Sequence, residues 1–311
     1  MMKHAQRMLW AATALAVLAG CSSTASGGEK TTTGTAKLSV VATTPEVADF
    51  VRNIGGSDVD VTQIIKPNVD PHEYEPTPAD LQAIAVAKVV VKNGVDLEKW
   101  LDGTIESAGF KGAVVDSSQG VTLRKGAEEG EESDPHIWHD PRNAKIMVTN
   151  IEKGLAAADP ARASTFEANL TSYAASIDKL DADNEAAFGK LPQADRELVT
   201  NHDAFGYYVQ RYGLQFVGSV IPSMDTSAEL SAKQLTDLVA KIKATGTKAI
   251  FTESSLPPKT AEAIAQQAGV KVVAGEDALF GDSLGAAGTP EGTYLGAEQH
   301  NTKVIVEALA G

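Results

Sequence analysis

Eight short runs rich in valine, isoleucine and leucine punctuate this 311-residue chain, most of them followed by a segment of helical character. They fall at residues 37–42, 59–65, 88–92 and 113–115, and again at 197–200, 214–220, 248–252 and 270–273. Strands this short and apolar are buried on both faces, and strands separated by helices pair in parallel. The pattern therefore predicts an α/β fold of mostly parallel sheets flanked by helices. Between the two groups of four lies a stretch of different character. From residue 161 to 191 there is no proline and a single glycine, Gly189. Phe166, Leu170, Tyr173, Ile177 and Leu180 recur there at spacings of three and four, which marks one helical face. A helix of some thirty residues extends roughly 45 Å, enough to run the length of a two-lobed protein. The expected organisation is an N-terminal lobe over 37–140, a helical connector over 141–191 and a C-terminal lobe over 192–311. Thr44-Pro45, Thr77-Pro78, Asp140-Pro141 and Asp159-Pro160 each read as a helix cap followed by a first helical residue, and a further helix is expected over 97–108.

The first twenty residues read as an address and not as part of the fold. Lys3 and Arg7 precede an apolar run over 8–20 that is too short to span a bilayer and has the proportions of a signal-peptide core. It ends in Leu18-Ala19-Gly20-Cys21, which resembles the bacterial lipobox, where the cysteine is lipidated and becomes the mature N-terminus. Cys21 is the sole cysteine, so a disulfide within the mature chain is excluded. Residues 21–36, rich in glycine, serine and threonine, read as a flexible tether. Removing residues 1–20 moves the formal charge from −14 to −16, which argues against nucleic acid as a partner.

Four residues carry the chemistry. His72, His136, His202 and Asp282 are spread along the chain, each after a strand-like run. Three imidazoles and one carboxylate form a complete tetrahedral set for a borderline ion such as Zn2+. In an α/β fold such residues converge where ligand crevices form. His72 sits between Pro67 and Pro71 on one side and Pro76 and Pro78 on the other, which stiffens its loop. His136 has a second histidine, His139, three residues on. Asp140-Pro141 starts a helix directly afterwards, so His136 is taken as the ligand and His139 as a hydrogen-bonding residue directed elsewhere. Asp282 is weak alone, since aspartate in a glycine-rich loop is usually turn chemistry. Its weight comes from completing the set, with Glu276 and Asp277 as substitutes. His300 reads as a surface or packing residue of the C-terminal helix.

Taken as a set, Pro71-His72-Glu-Tyr-Glu-Pro, Asp134-Pro-His136-Ile-Trp, Asn201-His202-Asp-Ala-Phe-Gly-Tyr, Glu253-x4-Pro258-Lys259 and Asp282-Ser-Leu-Gly resemble the zinc/manganese solute-binding lipoproteins of bacterial ABC importers, of the ZnuA and TroA type. The resemblance covers about residues 38–309. It implies two α/β lobes joined by one long helix with the metal between them, and it carries the ligand role onto His72, His136, His202 and Asp282. His139 and Glu253 fall where they would support the ligands from behind. The resemblance implies a monomer that is no enzyme, anchored by Cys21 at the outer face of the cytoplasmic membrane or in the periplasm. Such a protein captures Zn2+ and hands it to a permease. Members associated with manganese tend to have glutamate at the third ligand position, where this chain has His202. Many zinc members carry a histidine-rich loop before the second ligand. Here residues 125–133 (KGAEEGEES) are short, acidic and without histidine, which makes the histidine-poor AztC-like branch the nearer comparison. Some of that branch receive zinc from a periplasmic chaperone, so a chaperone is a further candidate partner. Competing readings are a manganese or iron carrier of the same family, a zinc hydrolase using His139 or Glu253 as base, and a surface adhesin.

Overall fold

A computed structural model describes residues 36–125, 133–228 and 231–311. The expected signal peptide and Cys21, nearly all of the tether and most of the acidic stretch lie outside the described residues.

The first lobe is built on a four-stranded parallel sheet in the order β2-β1-β3-β4, formed by β1 (Leu38–Ala42), β2 (Val59–Gln63), β3 (Val89–Lys92) and β4 (Ala113–Asp116). The central strands, LSVVA and VVVK, are buried nearly throughout, whereas the edge strand β4 is largely exposed. Helices α1 (Pro45–Gly55), α2 (Pro78–Val86) and α3 (Leu101–Ala108) connect them. Thr44 caps α1 by accepting from Val47 N–H, with Pro45 in the first turn. Thr77 and Asp80 form a reciprocal capping box on α2.

Helix α3 begins four residues later than the sequence suggests. The Glu98 carboxylate turns inward and accepts from Asn93 N–H (2.7 Å), Gly94 N–H (3.1 Å) and the Thr43 hydroxyl (2.5 Å). The chain winds around that carboxylate, with Val95 and Asp96 in left-handed backbone, and only then turns helical.

Helix α4 (Pro141–Ala158) is capped by Asp140, which accepts from Arg142 N–H, as its sequence suggests. Asp159-Pro160 does not open the long helix as expected. Pro160–Arg162 form a 3-10 turn, because Asp159 closes α4 and its carboxylate is taken by the Arg162 guanidinium. The long helix α5 then runs from Ala163 to Phe188, 26 residues or about 39 Å. Its Phe166, Tyr173, Ile177 and Leu180 belong to the core of the first lobe and its Phe188 to the core of the second.

The second lobe comprises β5 (Glu197–His202), α6 (Gly206–Tyr212), β6 (Gln215–Ile221), α7 (Ala232–Thr245), β7 (Ala249–Phe251), α8 (Lys259–Ala268), β8 (Lys271–Val273) and α9 (Tyr294–Ala310). Strand β5 pairs in parallel with β6, and β7 with β8. The start of α9 returns to the first lobe. Tyr294 donates its N–H to Asp49 (3.0 Å) and its hydroxyl to the Trp138 carbonyl (2.8 Å).

Candidate metal centre

The loop after β2 carries His72, whose N–H is held by Asp70 Oδ1 at 2.9 Å. His136 lies twenty residues beyond β4, at the entry to a 3-10 turn (Ile137–His139) before α4. His202 is the last residue of β5 itself, one step earlier than a residue following the strand. Asp282 follows β8 in the loop that Glu253 and Leu279 pin by a parallel bridge.

These four side chains meet, and among the described residues they form the group able to hold a metal ion, with ligand atoms all within 4.8 Å of one another. His136 Nε2 stands 3.2 Å from His72 Nε2 and 3.3 Å from His202 Nε2. Asp282 oxygens lie 3.1 Å from His136 Nε2, 3.1 Å from His202 Nε2 and 3.5 Å from His72 Nε2. A tetrahedron with metal–ligand bonds of about 2.05 Å has edges of about 3.3 Å. With Asp282 Oδ2 as the fourth vertex, four of the six edges lie close to that figure: the two from His136 to the other rings, and those from Oδ2 to His202 and His72.

Carboxylates behind two of the rings decide which nitrogen faces inward. Asp134 Oδ1 accepts from both the N–H (3.0 Å) and Nδ1 (2.8 Å) of His136. Glu253 does the same for His202, at 2.9 Å from its N–H and 3.0 Å from its Nδ1. With Nδ1 committed as donor, each Nε2 presents a lone pair to the centre. Lone pairs converging at this distance repel unless a proton or cation lies among them. Asp282 is fully buried, and apart from those ring nitrogens no described residue gives its two oxygens a hydrogen-bond partner. A carboxylate so placed requires positive charge beside it.

The titration shifts express the same conflict. Burial alone lowers the His136 pKa, but Asp282 and Asp134 overturn it and hold it at about 9. His202 is raised well above the ordinary histidine range by Asp282 and Glu253, again against burial. Asp282 is held well below the usual carboxylate range, because His202 and His136 outweigh its desolvation. Without metal the cage holds protons that an incoming cation must displace.

His139 is directed away from the centre. Its Nδ1 meets Glu298 Oε1 at 2.8 Å and its Nε2 the Gly281 carbonyl at 3.0 Å, while its ring stacks on Phe205. It thus braces the backbone just before Asp282. His300 bonds the Ala278 carbonyl (3.0 Å) and stays outside the group. Glu276 and Asp277 are exposed on a turn and do not replace Asp282. Three supports have little or no local signal in the sequence. Asp134 was legible only as part of Asp-Pro-His. Glu298, from α9, had no local signal. Arg124 meets the second oxygen of Asp134 at 2.5 Å and needs the bare backbone of Gly206, where a Cβ would run into its guanidinium.

A buried cage of three imidazoles and one carboxylate, set between two α/β lobes, defines a metal-capturing binding protein. The chain belongs to the zinc-uptake complex component A periplasmic family, whose profile matches residues 40–308. It is 36% identical over 287 residues to the zinc-binding protein TroA of Treponema pallidum, covering 91% of this chain and 92% of that one. It is 32% identical over 303 residues to the manganese ABC transporter substrate-binding lipoprotein PsaA of Streptococcus pneumoniae, with 94% and 95% covered. The iron ABC transporter substrate-binding lipoprotein MtsA of Streptococcus pyogenes is 32% identical over 317 residues, with 99% of each chain covered. The solved structure of periplasmic TroA superposes with a TM-score of 0.81 at 33% identity, over 88% of this chain and 99% of that one. This protein is therefore a substrate-binding component of an ABC metal importer, working with a permease and an ATPase, and is no enzyme.

Proposed function

We propose that the protein captures Zn2+ outside the cytoplasmic membrane, held by His72, His136, His202 and Asp282, and delivers it to the permease of its importer. One observation carries the choice of metal: the third position is His202, with its Nε2 turned inward by Glu253. Three imidazoles and one carboxylate suit zinc, whereas manganese favours more oxygen. The name of TroA supports the reading. Those of PsaA and MtsA favour manganese or iron as the second reading. In this account Cys21 carries the lipid anchor, and the lobes meet at the connector over 141–191. Competition among Zn2+, Mn2+ and Fe2+ for the chain beginning after Cys21 tests the metal. Zinc is expected to displace the other two at equal concentration. Manganese or iron retained against equimolar zinc would overturn the choice.

A further inference from the structure

The loop that carries His72 is fastened to the opposite lobe at two points. Asn68, in left-handed backbone at φ 61°, donates its N–H to Ser283 Oγ at 2.6 Å, beside Asp282. Two residues on, Asp70 divides its carboxylate. Oδ1 accepts the His72 N–H at 2.9 Å, and Oδ2 accepts the Thr226 hydroxyl at 2.6 Å. Thr226 lies beyond β6 in the second lobe, where its neighbour Asp225 pairs with Lys99 of the first lobe at 3.0 Å. His72 is also the ligand nearest to solvent. Its side chain is 5% exposed, against 0% for His136, His202 and Asp282.

We propose that Asp70 is a positioning residue that governs how fast the metal leaves, by clasping the His72 loop to Thr226. The inference rests on the zinc-binding reading of the site. His136, His202 and Asp282 are sealed in, so the path of least disruption for an ion passes His72. Loops open locally at a lower free energy than packed strands. One carboxylate here joins two events, because the group that orients His72 also ties its loop across the cleft. Opening the lobes breaks the Thr226 bond and slackens the ligand together. A hydrogen bond to a carboxylate is among the stronger ones a loop can use.

The test compares zinc release into excess chelator from the wild-type chain and three variants. Thr226→Val keeps the shape, removes the hydroxyl and leaves the Asp70–His72 contact in place. It is expected to speed release about tenfold, the equivalent of one such hydrogen bond, with the melting temperature of the metal-free protein unchanged. Asp70→Ala speeds release further, since it also frees His72. Asp70→Asn keeps an acceptor for His72 N–H and a polar partner for Thr226, and restores slow release. Amide hydrogen exchange at residues 68–72, measured without metal, is expected to quicken in Thr226→Val. Unchanged release or unchanged loop exchange in Thr226→Val overturns the clasp. A wild-type chain that takes up no zinc overturns the functional reading instead, and loop exchange still judges the clasp.

Discussion

Asp134 and Glu253 touch no metal position, yet they decide which nitrogen His136 and His202 offer. Such supports typically change metal affinity by about 10–100-fold when removed. Asp134→Ala, which removes the acceptor, is therefore expected to weaken zinc binding by about that factor, read by competitive titration. An unchanged affinity would mean that Asp134 does not set the ring. The protons held in the metal-free cage give a second prediction. With His136 at about 9, raised from an ordinary 6.5, the folded metal-free protein gains stability from it below pH 6.5 and loses that gain as pH rises through 9. Metal affinity runs the other way and rises with pH over that window, since zinc must displace the proton. Calorimetry at pH 7.5 in two buffers of different ionisation enthalpy is expected to show protons released on zinc binding. Heats that do not depend on the buffer would contradict the raised pKa values.

At the scale of elements, the first turn of α1 buries Glu46 almost completely, with only Thr44 and its own backbone as polar company. A helix N-terminus favours negative charge, but burial dominates and pushes the Glu46 pKa from 4.5 to about 8. A carboxyl raised in this way contributes stability that is present below pH 4.5 and lost as pH rises through 8. Glu46→Gln, which keeps the shape without a titrating proton, is expected to gain stability relative to wild type between those limits, measured by denaturant unfolding of the metal-free protein. Parallel pH profiles would show that Glu46 is not buried as an acid. The elements were mostly legible in the sequence. Each strand falls within about two residues of its apolar run, because buried parallel strands are short and nearly uniform in character. The errors arose where a side chain from elsewhere overrides local preference. The delayed start of α3 depends on Glu98 reaching Thr43, 55 residues away in sequence, and no local pattern announces that contact. The ligands were legible because histidine is scarce here, with six in the chain. Glu298 was not, since a glutamate in a helix usually faces solvent, and only tertiary packing buries it against His139.

For the whole molecule, α5 carries side chains into the cores of both lobes and α9 returns to the first, so the four ligands sit on a frame built from both ends of the chain. The assembled cage exists only when that frame is folded, and a metal that fits it stabilises the protein by mass action. Zinc at 100 times its dissociation constant adds about 2.7 kcal/mol, and manganese at the same concentration is expected to raise the melting temperature much less. Equal stabilisation by manganese would favour the second reading. The central claim is that His72, His136, His202 and Asp282 together hold zinc. It is tested most directly by X-ray absorption at the zinc edge of the loaded protein. One zinc per chain is expected, with four nitrogen and oxygen neighbours at about 2.0 Å, three of them giving the multiple-scattering signature of imidazole. A six-coordinate, oxygen-rich shell, or fewer than three imidazoles, would contradict it.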